Sequence, residues 1–175
     1  DHVIVVDSTS KTFSACGLRI GFLLSRNMTF MERIDRLGQA RLGAQPRAQH
    51  AAIAALNLPD SFYTDLRATY RERVDAMMDS LAAIPGVHFH RPEGAFYTMV
   101  RLPVTDSEAF ARFLVTEFRD HSSGRPESLV VAPGSGFYAN PADGRDEIRL
   151  AAVKNADSVR RGVELLGKAL AVYRG

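Results

Sequence analysis

The chain has 175 residues, 46% of them hydrophobic and 24% charged, which suffices to bury the core of one domain or of pieces of two. Its 22 basic and 20 acidic residues leave a formal charge of only +2, so no global field points to nucleic acid. One cysteine, Cys16, rules out an internal disulfide framework and suits a reducing, cytoplasmic setting, and no apolar stretch is long enough to span a membrane.

In chain order, Val3-Ile4-Val5-Val6 reads as a buried strand, followed by a loop carrying Ser8, Ser10 and Lys11. Ile20–Leu24 reads as a second strand closed by Ser25-Arg26-Asn27. Thr29, with Glu32 three residues later, predicts a capping box opening a helix to about Leu42. Pro46 restarts a second helix, Ala48–Leu56, and Asn57-Leu58-Pro59-Asp60 breaks it. Phe62, Leu66, Tyr70, Val74, Met77 and Leu81, at spacings of three and four, predict a long amphipathic helix over Ser61–Ile84. Pro85-Gly86 stops it before a short strand, Val87–His90. Further strands are expected at Ala95–Leu102, Leu129–Ala132 and Glu147–Val153, and helices at Asp106–Asp120 and Ala156–Tyr173. The pattern is α/β, with a boundary expected near residue 60 and no internal repeat.

Lys11 is the most informative residue. At the carboxyl edge of an apolar strand, where open α/β sheets bind ligands, a lysine is costly unless it has a task. The hydroxyls of Ser8 and Ser10 and the planar fork of Arg19 fit a small phosphate site, leaving Lys11 as a nucleophilic amine. Later, Arg149 alternates with Ile148 and Leu150, so its side chain points away from its apolar neighbours.

Ser-x-Ser-Lys followed by Gly17-Leu18-Arg19-Ile20-Gly21 resembles the signature of class I/II, fold type I, pyridoxal-phosphate-dependent aminotransferases of the aspartate aminotransferase kind. Pro92-Glu93-Gly94-Ala95-Phe96-Tyr97, Ala132-Pro133-Gly134-Ser135-Gly136-Phe137 and Glu147-Ile148-Arg149-Leu150 agree with it in order and separation. The resemblance covers the whole chain but only the second half of such an enzyme. It implies the end of the large cofactor-binding domain over residues 1–60 and a small C-terminal α/β domain over 61–175, joined by the long helix. It also implies transfer of an amino group between an amino acid, aspartate among the candidates, and a 2-oxo acid.

The same resemblance makes Lys11 the Schiff-base lysine and general acid/base, with Ser8, Ser10 and Arg19 holding pyridoxal 5'-phosphate. Arg149 becomes the clamp of the substrate α-carboxylate, and Phe96 a substrate-contacting wall beside Gly94. Arg41, Gln45 and Arg47 lie where relatives bring side-chain selectivity from a neighbouring subunit, so a homodimer is expected. Such enzymes hold the pyridine nitrogen with an aspartate further upstream than the ten residues before Lys11; Asp7 is too close to serve. The chain is therefore expected to be part of a longer protein.

The fold also supports pyridoxal-phosphate lyases and aminotransferase-like sensor domains of transcription regulators, and an isolated half could serve only in dimerisation. No basic recognition element supports DNA binding. His88 and His90 lack the carboxylate or thiol companions of a metal site, Cys16 reads as packing, and Gly134-Ser135-Gly136 reads as a turn toward Arg149.

Overall fold

A computed structural model describes residues 2–174, and the chain divides into two compact units, Asp1–Tyr63 and Thr64–Gly175. In the first, β1 (Ile4–Ser8) runs into a single helical turn, α1 (Thr9–Thr12), then a 3-10 turn at Cys16–Leu18 and β2 (Gly21–Ser25). The two strands pair antiparallel, with Ser8 opposite Gly21 and Ile4 opposite Ser25. Helices α2 (Met28–Gln39) and α3 (Pro46–Leu56) follow.

Three sequence expectations change here. The strand expected to be buried is open to solvent: Val3 is 68% and Val6 72% exposed, because a two-stranded sheet pairs β1 only with β2 and leaves its apolar side chains uncovered. Asn27, not Thr29, caps α2. Its backbone is extended and its side-chain oxygen accepts the Phe30 N–H at 3.1 Å, so the helix starts at Met28. The helix then stops at Gln39, and Leu42 lies in the left-handed region at φ 66°.

Helix α4 (Asp60–Ala82) carries the chain into the second unit. There β3 (His88–Phe89), β4 (Tyr97–Arg101), β5 (Ala132–Pro133) and β6 (Glu147–Ala151) form an antiparallel sheet in the order β3-β4-β6-β5. Strand alternation sends Val100 and Ile148 into the core, where they join Met77 and Leu81 of α4, Phe110 and Leu114 of α5 (Ser107–Thr116) and Leu166 of α6 (Ala156–Val172). The opposite face presents Tyr97, Met99, Arg101, Glu147 and Arg149.

Helix α5 ends four residues short of expectation. The Arg119 guanidinium donates to the Leu114, Val115 and Phe118 carbonyls, satisfying acceptors the last turn leaves open, and Phe118 turns into the core. The expected strand over Leu129–Ala132 shrinks to Ala132–Pro133, opposite Arg149 and Ile148. Among the described residues, no helix is long and apolar enough to cross a membrane, and no cluster of three or more His, Cys, Asp or Glu could hold a metal ion.

Candidate cofactor and substrate site

In the first unit, the lysine loop is fixed by a residue that sequence reading passed over. Thr9 is 4% exposed, and both its N–H (3.1 Å) and its hydroxyl (3.2 Å) donate to the Ile20 carbonyl. Its own carbonyl accepts the N–H groups of Phe13 and Ala15. This buried hydroxyl holds Ser8, Ser10 and Lys11 beside Arg19, the residue before Ile20. Only its place between two serines hinted at it.

The Ser8 hydroxyl caps α1 by accepting the Ser10 N–H at 3.3 Å, while Asp7 accepts the Ser8 N–H at 2.6 Å. Asp7 is thus a polar residue at a strand end, bound to local backbone. Lys11 is exposed at the end of the turn. Arg19 adopts a left-handed backbone, φ 56° and ψ 34°, and its Nη1 donates to the Cys16 carbonyl at 3.0 Å. Opposite Ser8, Gly21 lets the strands approach: a Cβ there would lie 3.2 Å from the Asp7 carbonyl oxygen.

A cleft of about 600 Å³ opens beside Arg19, lined also by Arg41, Gln45 and several glycines, with no carboxylate among the described residues of its wall. Arg47 lies on α3 and does not line it. Ser8, Ser10 and Lys11 do not line this cleft, but their backbone is tied to that of Arg19 through Thr9 and Ile20, and two hydroxyls, an amine and a guanidinium are a donor set suited to a phosphorylated aldehyde.

In the second unit, Arg149 lies on the open face of β6, half-buried. Its Cζ is 4.3 Å from the centre of the Phe137 ring and 4.6 Å from that of Tyr97. Among the described residues, no carboxylate pairs with it. Glu147, two residues earlier on the same face, is engaged instead by the Tyr138 hydroxyl, which donates to it, and by Arg101 at 3.6 Å. That carboxylate, together with partial burial, pushes the Tyr138 phenol above its usual range. Phe137 and Tyr97 each closed a segment quoted for the family resemblance, Tyr97 also within an expected strand, and neither announced a place beside Arg149.

Phe96 belongs to the core of the unit: it is 8% exposed, stacked on Tyr70 with ring centres 5.0 Å apart. Tyr97, next to it, faces the opposite side of the sheet. Gly134 and Gly144 cross closely beneath the Ser135–Phe137 turn, which fixes where Phe137 stands.

The sequence matches the aminotransferase class I and II family over residues 1–163. It is 28% identical over 163 residues to an aspartate aminotransferase of Geobacillus stearothermophilus, covering 93% of this chain and 40% of the relative. It is 31% identical to the LL-diaminopimelate aminotransferase of Syntrophobacter fumaroxidans, covering 92% and 38%. Among solved structures, an alanine aminotransferase from Pyrococcus furiosus superposes with a TM-score of 0.79 at 26% identity, over 98% of this chain and 42% of that one. The α-aminoadipate aminotransferase of Thermus thermophilus, solved with N-(5'-phosphopyridoxyl)-L-leucine, gives a TM-score of 0.79 at 25% identity, over 97% and 42%. The chain thus spans about 40% of the length of the relatives it matches. These likenesses place it in the fold type I architecture, and the chain belongs to the aminotransferase class I and II family, whose members use pyridoxal 5'-phosphate.

Proposed function

We propose that the whole protein transfers an amino group between an amino acid and a 2-oxo acid with pyridoxal 5'-phosphate as cofactor. One observation carries the reading: the twofold bond of Thr9 to Ile20, which fixes Ser8, Ser10 and Lys11 beside Arg19 in a chain of this family. Ser8, Ser10 and Arg19 would hold the phosphate, and Lys11 Nζ would carry the aldehyde carbon. When bound, the cofactor supplies an electron sink for negative charge at the substrate α-carbon.

The chain's own residues then do three things. The Lys11 Nζ amine, when free, would accept the proton leaving the substrate α-carbon and hold it for return. Arg149 orients the substrate by a bidentate bond to its α-carboxylate. Phe96 and Gly94 would form a wall beside the substrate. Residues 1–60 serve as the end of the cofactor domain and 61–175 as the small domain, and the assembly is a homodimer. The relatives' donors include aspartate, LL-diaminopimelate, alanine and α-aminoadipate, so aspartate is one donor within the set to be tested.

Borohydride reduction of the whole protein after loading with pyridoxal phosphate, followed by peptide mass mapping, tests the reading. Label on Lys11 is expected; label confined to Lys154 or Lys168, the other two lysines of this chain, would overturn it. Product analysis fixes the reaction: oxo acid with pyridoxamine phosphate marks transfer, whereas ammonia with pyruvate marks elimination.

A further inference from the structure

We infer that Phe137 and Tyr97 are positioning residues for Arg149, together aligning its guanidinium for a planar two-oxygen anion; the inference rests on the proposed role of Arg149 toward the substrate α-carboxylate. The guanidinium carbon lies 4.3 Å from one ring centre and 4.6 Å from the other. A ring that meets this carbon takes up part of the cation's face by cation–π attraction, while the N–H donors point outward in the guanidinium plane. An arginine side chain has many rotamers, and holding it in one before a ligand arrives removes that ordering cost from binding.

Three further observations favour positioning over mere packing. First, Arg149 keeps its charge for an outside anion, since Glu147 on the same face is taken by Tyr138 and Arg101. Second, the two rings come from different elements: Tyr97 from β4, paired with Ala151 in register, and Phe137 from the turn between β5 and β6. Third, that turn is braced at its start by two bonds. The Gly134 N–H donates to the Glu147 carbonyl at 2.7 Å, and the Ser135 hydroxyl donates to Glu108 of α5 at 2.5 Å. A ring needed only to fill space would not require a turn tied to the arginine's own strand and to a helix.

The test uses the whole protein loaded with pyridoxal phosphate and L-aspartate as the probe, read by single-turnover spectroscopy. Phe137→Leu is expected to raise the apparent dissociation constant about tenfold, the scale of one lost cation–π contact, while the limiting rate stays within about twofold. Phe137→Tyr restores the parent value, and Phe137→Leu adds no further loss once Arg149→Leu is present. NMR supplies a readout apart from turnover: the Arg149 Nε–H proton is shifted by the ring currents, and Phe137→Leu moves it toward the position of an exposed arginine. An unchanged dissociation constant in Phe137→Leu, with Arg149→Leu weakened, overturns this inference alone. An unchanged constant in Arg149→Leu overturns the carboxylate role and the inference with it. If Phe137→Leu does not fold, Tyr97→Leu is read by the same criteria, and the same unchanged constant overturns the inference.

Discussion

Gly134 and Gly144 meet backbone to backbone: a Cβ on Gly134 would stand 2.7 Å from the Gly144 carbonyl oxygen and 2.7 Å from that of Glu147. Neither neighbour is a flexible side chain that could swing aside. Gly134→Ala is therefore expected to destabilise the chain by about 1–3 kcal/mol through overpacking, and to displace the turn that carries Phe137. Gly162 is the contrasting case. It lies within α6, and a Cβ there meets nothing within 4 Å, so Gly162→Ala should stabilise by about 0.5–1 kcal/mol through helix propensity alone. Thermal unfolding of the two variants checks both signs; a neutral Gly134→Ala would show that the turn is free to move.

The loop that follows α5 is bound to α6 by charge. Arg161 bridges Asp120 and Glu127, each at 2.6 Å, and Lys168 reaches Asp120 at 3.0 Å and Glu164 at 2.8 Å. The Ser122 hydroxyl and then Lys168 hold the Asp120 carboxyl well below the usual carboxylate range. Glu127 is lowered by Ser123 and Arg161, and Glu164 by Lys168 and Arg161. A carboxylate with a depressed folded-state value adds stability above its unfolded value and loses it as pH falls through the folded one. The melting temperature should thus be flat from neutral pH to about 5 with respect to these groups and decline below about 4, where unfolded carboxylates begin to protonate. Asp120→Asn should lower the plateau and flatten the decline, and added salt should narrow the difference. Melting curves from pH 3 to 7 decide it; an identical acid decline in Asp120→Asn would mean that Asp120 contributes nothing to it.

How far the sequence could be read differs between the two units for a physical reason. In the second unit, apolar periodicity located α4, α6, β4 and β6 to within a few residues, because each buries one face against a common core. Two helix-end errors fell where side chains bond to backbone. Arg119 ends α5 early by capping carbonyls, and Asn27 displaces Thr29 at the start of α2, a competition between neighbouring capping residues that spacing alone does not rank. Ser8, Ser10, Lys11 and Arg19 stand out as candidates in the sequence because their chemistry is unusual after an apolar strand. Thr9 does not, since a buried threonine looks like any other β-branched residue. Tyr97 and Phe137 became visible as partners of Arg149 only once antiparallel pairing set β4 beside β6.

The apolar run that reads as a buried strand has a measurable consequence in this chain. Ile4 and Val5 are about half exposed and Val3 and Val6 more so, while Phe22 and Leu24 are exposed on the paired strand. Such a ribbon, with open edges and apolar side chains, is a template for association. The isolated 175-residue chain is expected to self-associate and to bind an apolar dye, and Val6→Lys should reduce both. Sedimentation velocity checks it: a monomeric parent chain, or an unchanged Val6→Lys variant, would remove β1 as the associating surface.

Arg19 carries two opposed demands that substitution can separate. Its side chain is the planar cation expected to hold the cofactor phosphate, yet its backbone sits at φ 56°, a conformation that costs a residue with a Cβ about 1–2 kcal/mol and a glycine almost nothing. Arg19→Gly should therefore stabilise the cofactor-free protein, even after losing the bond to the Cys16 carbonyl, which is exposed and replaceable by water. The same variant should bind pyridoxal phosphate about ten- to a hundredfold more weakly, the scale of a lost charge-assisted bond. Arg19→Lys should recover part of that affinity as a point charge without the fork, and none of the stability, because it keeps the Cβ. Spectroscopic titration with pyridoxal phosphate, paired with thermal unfolding of the unloaded protein, separates the two effects. Full affinity in Arg19→Gly would mean that the phosphate is held elsewhere, and lower stability would mean that the guanidinium bond outweighs the backbone strain.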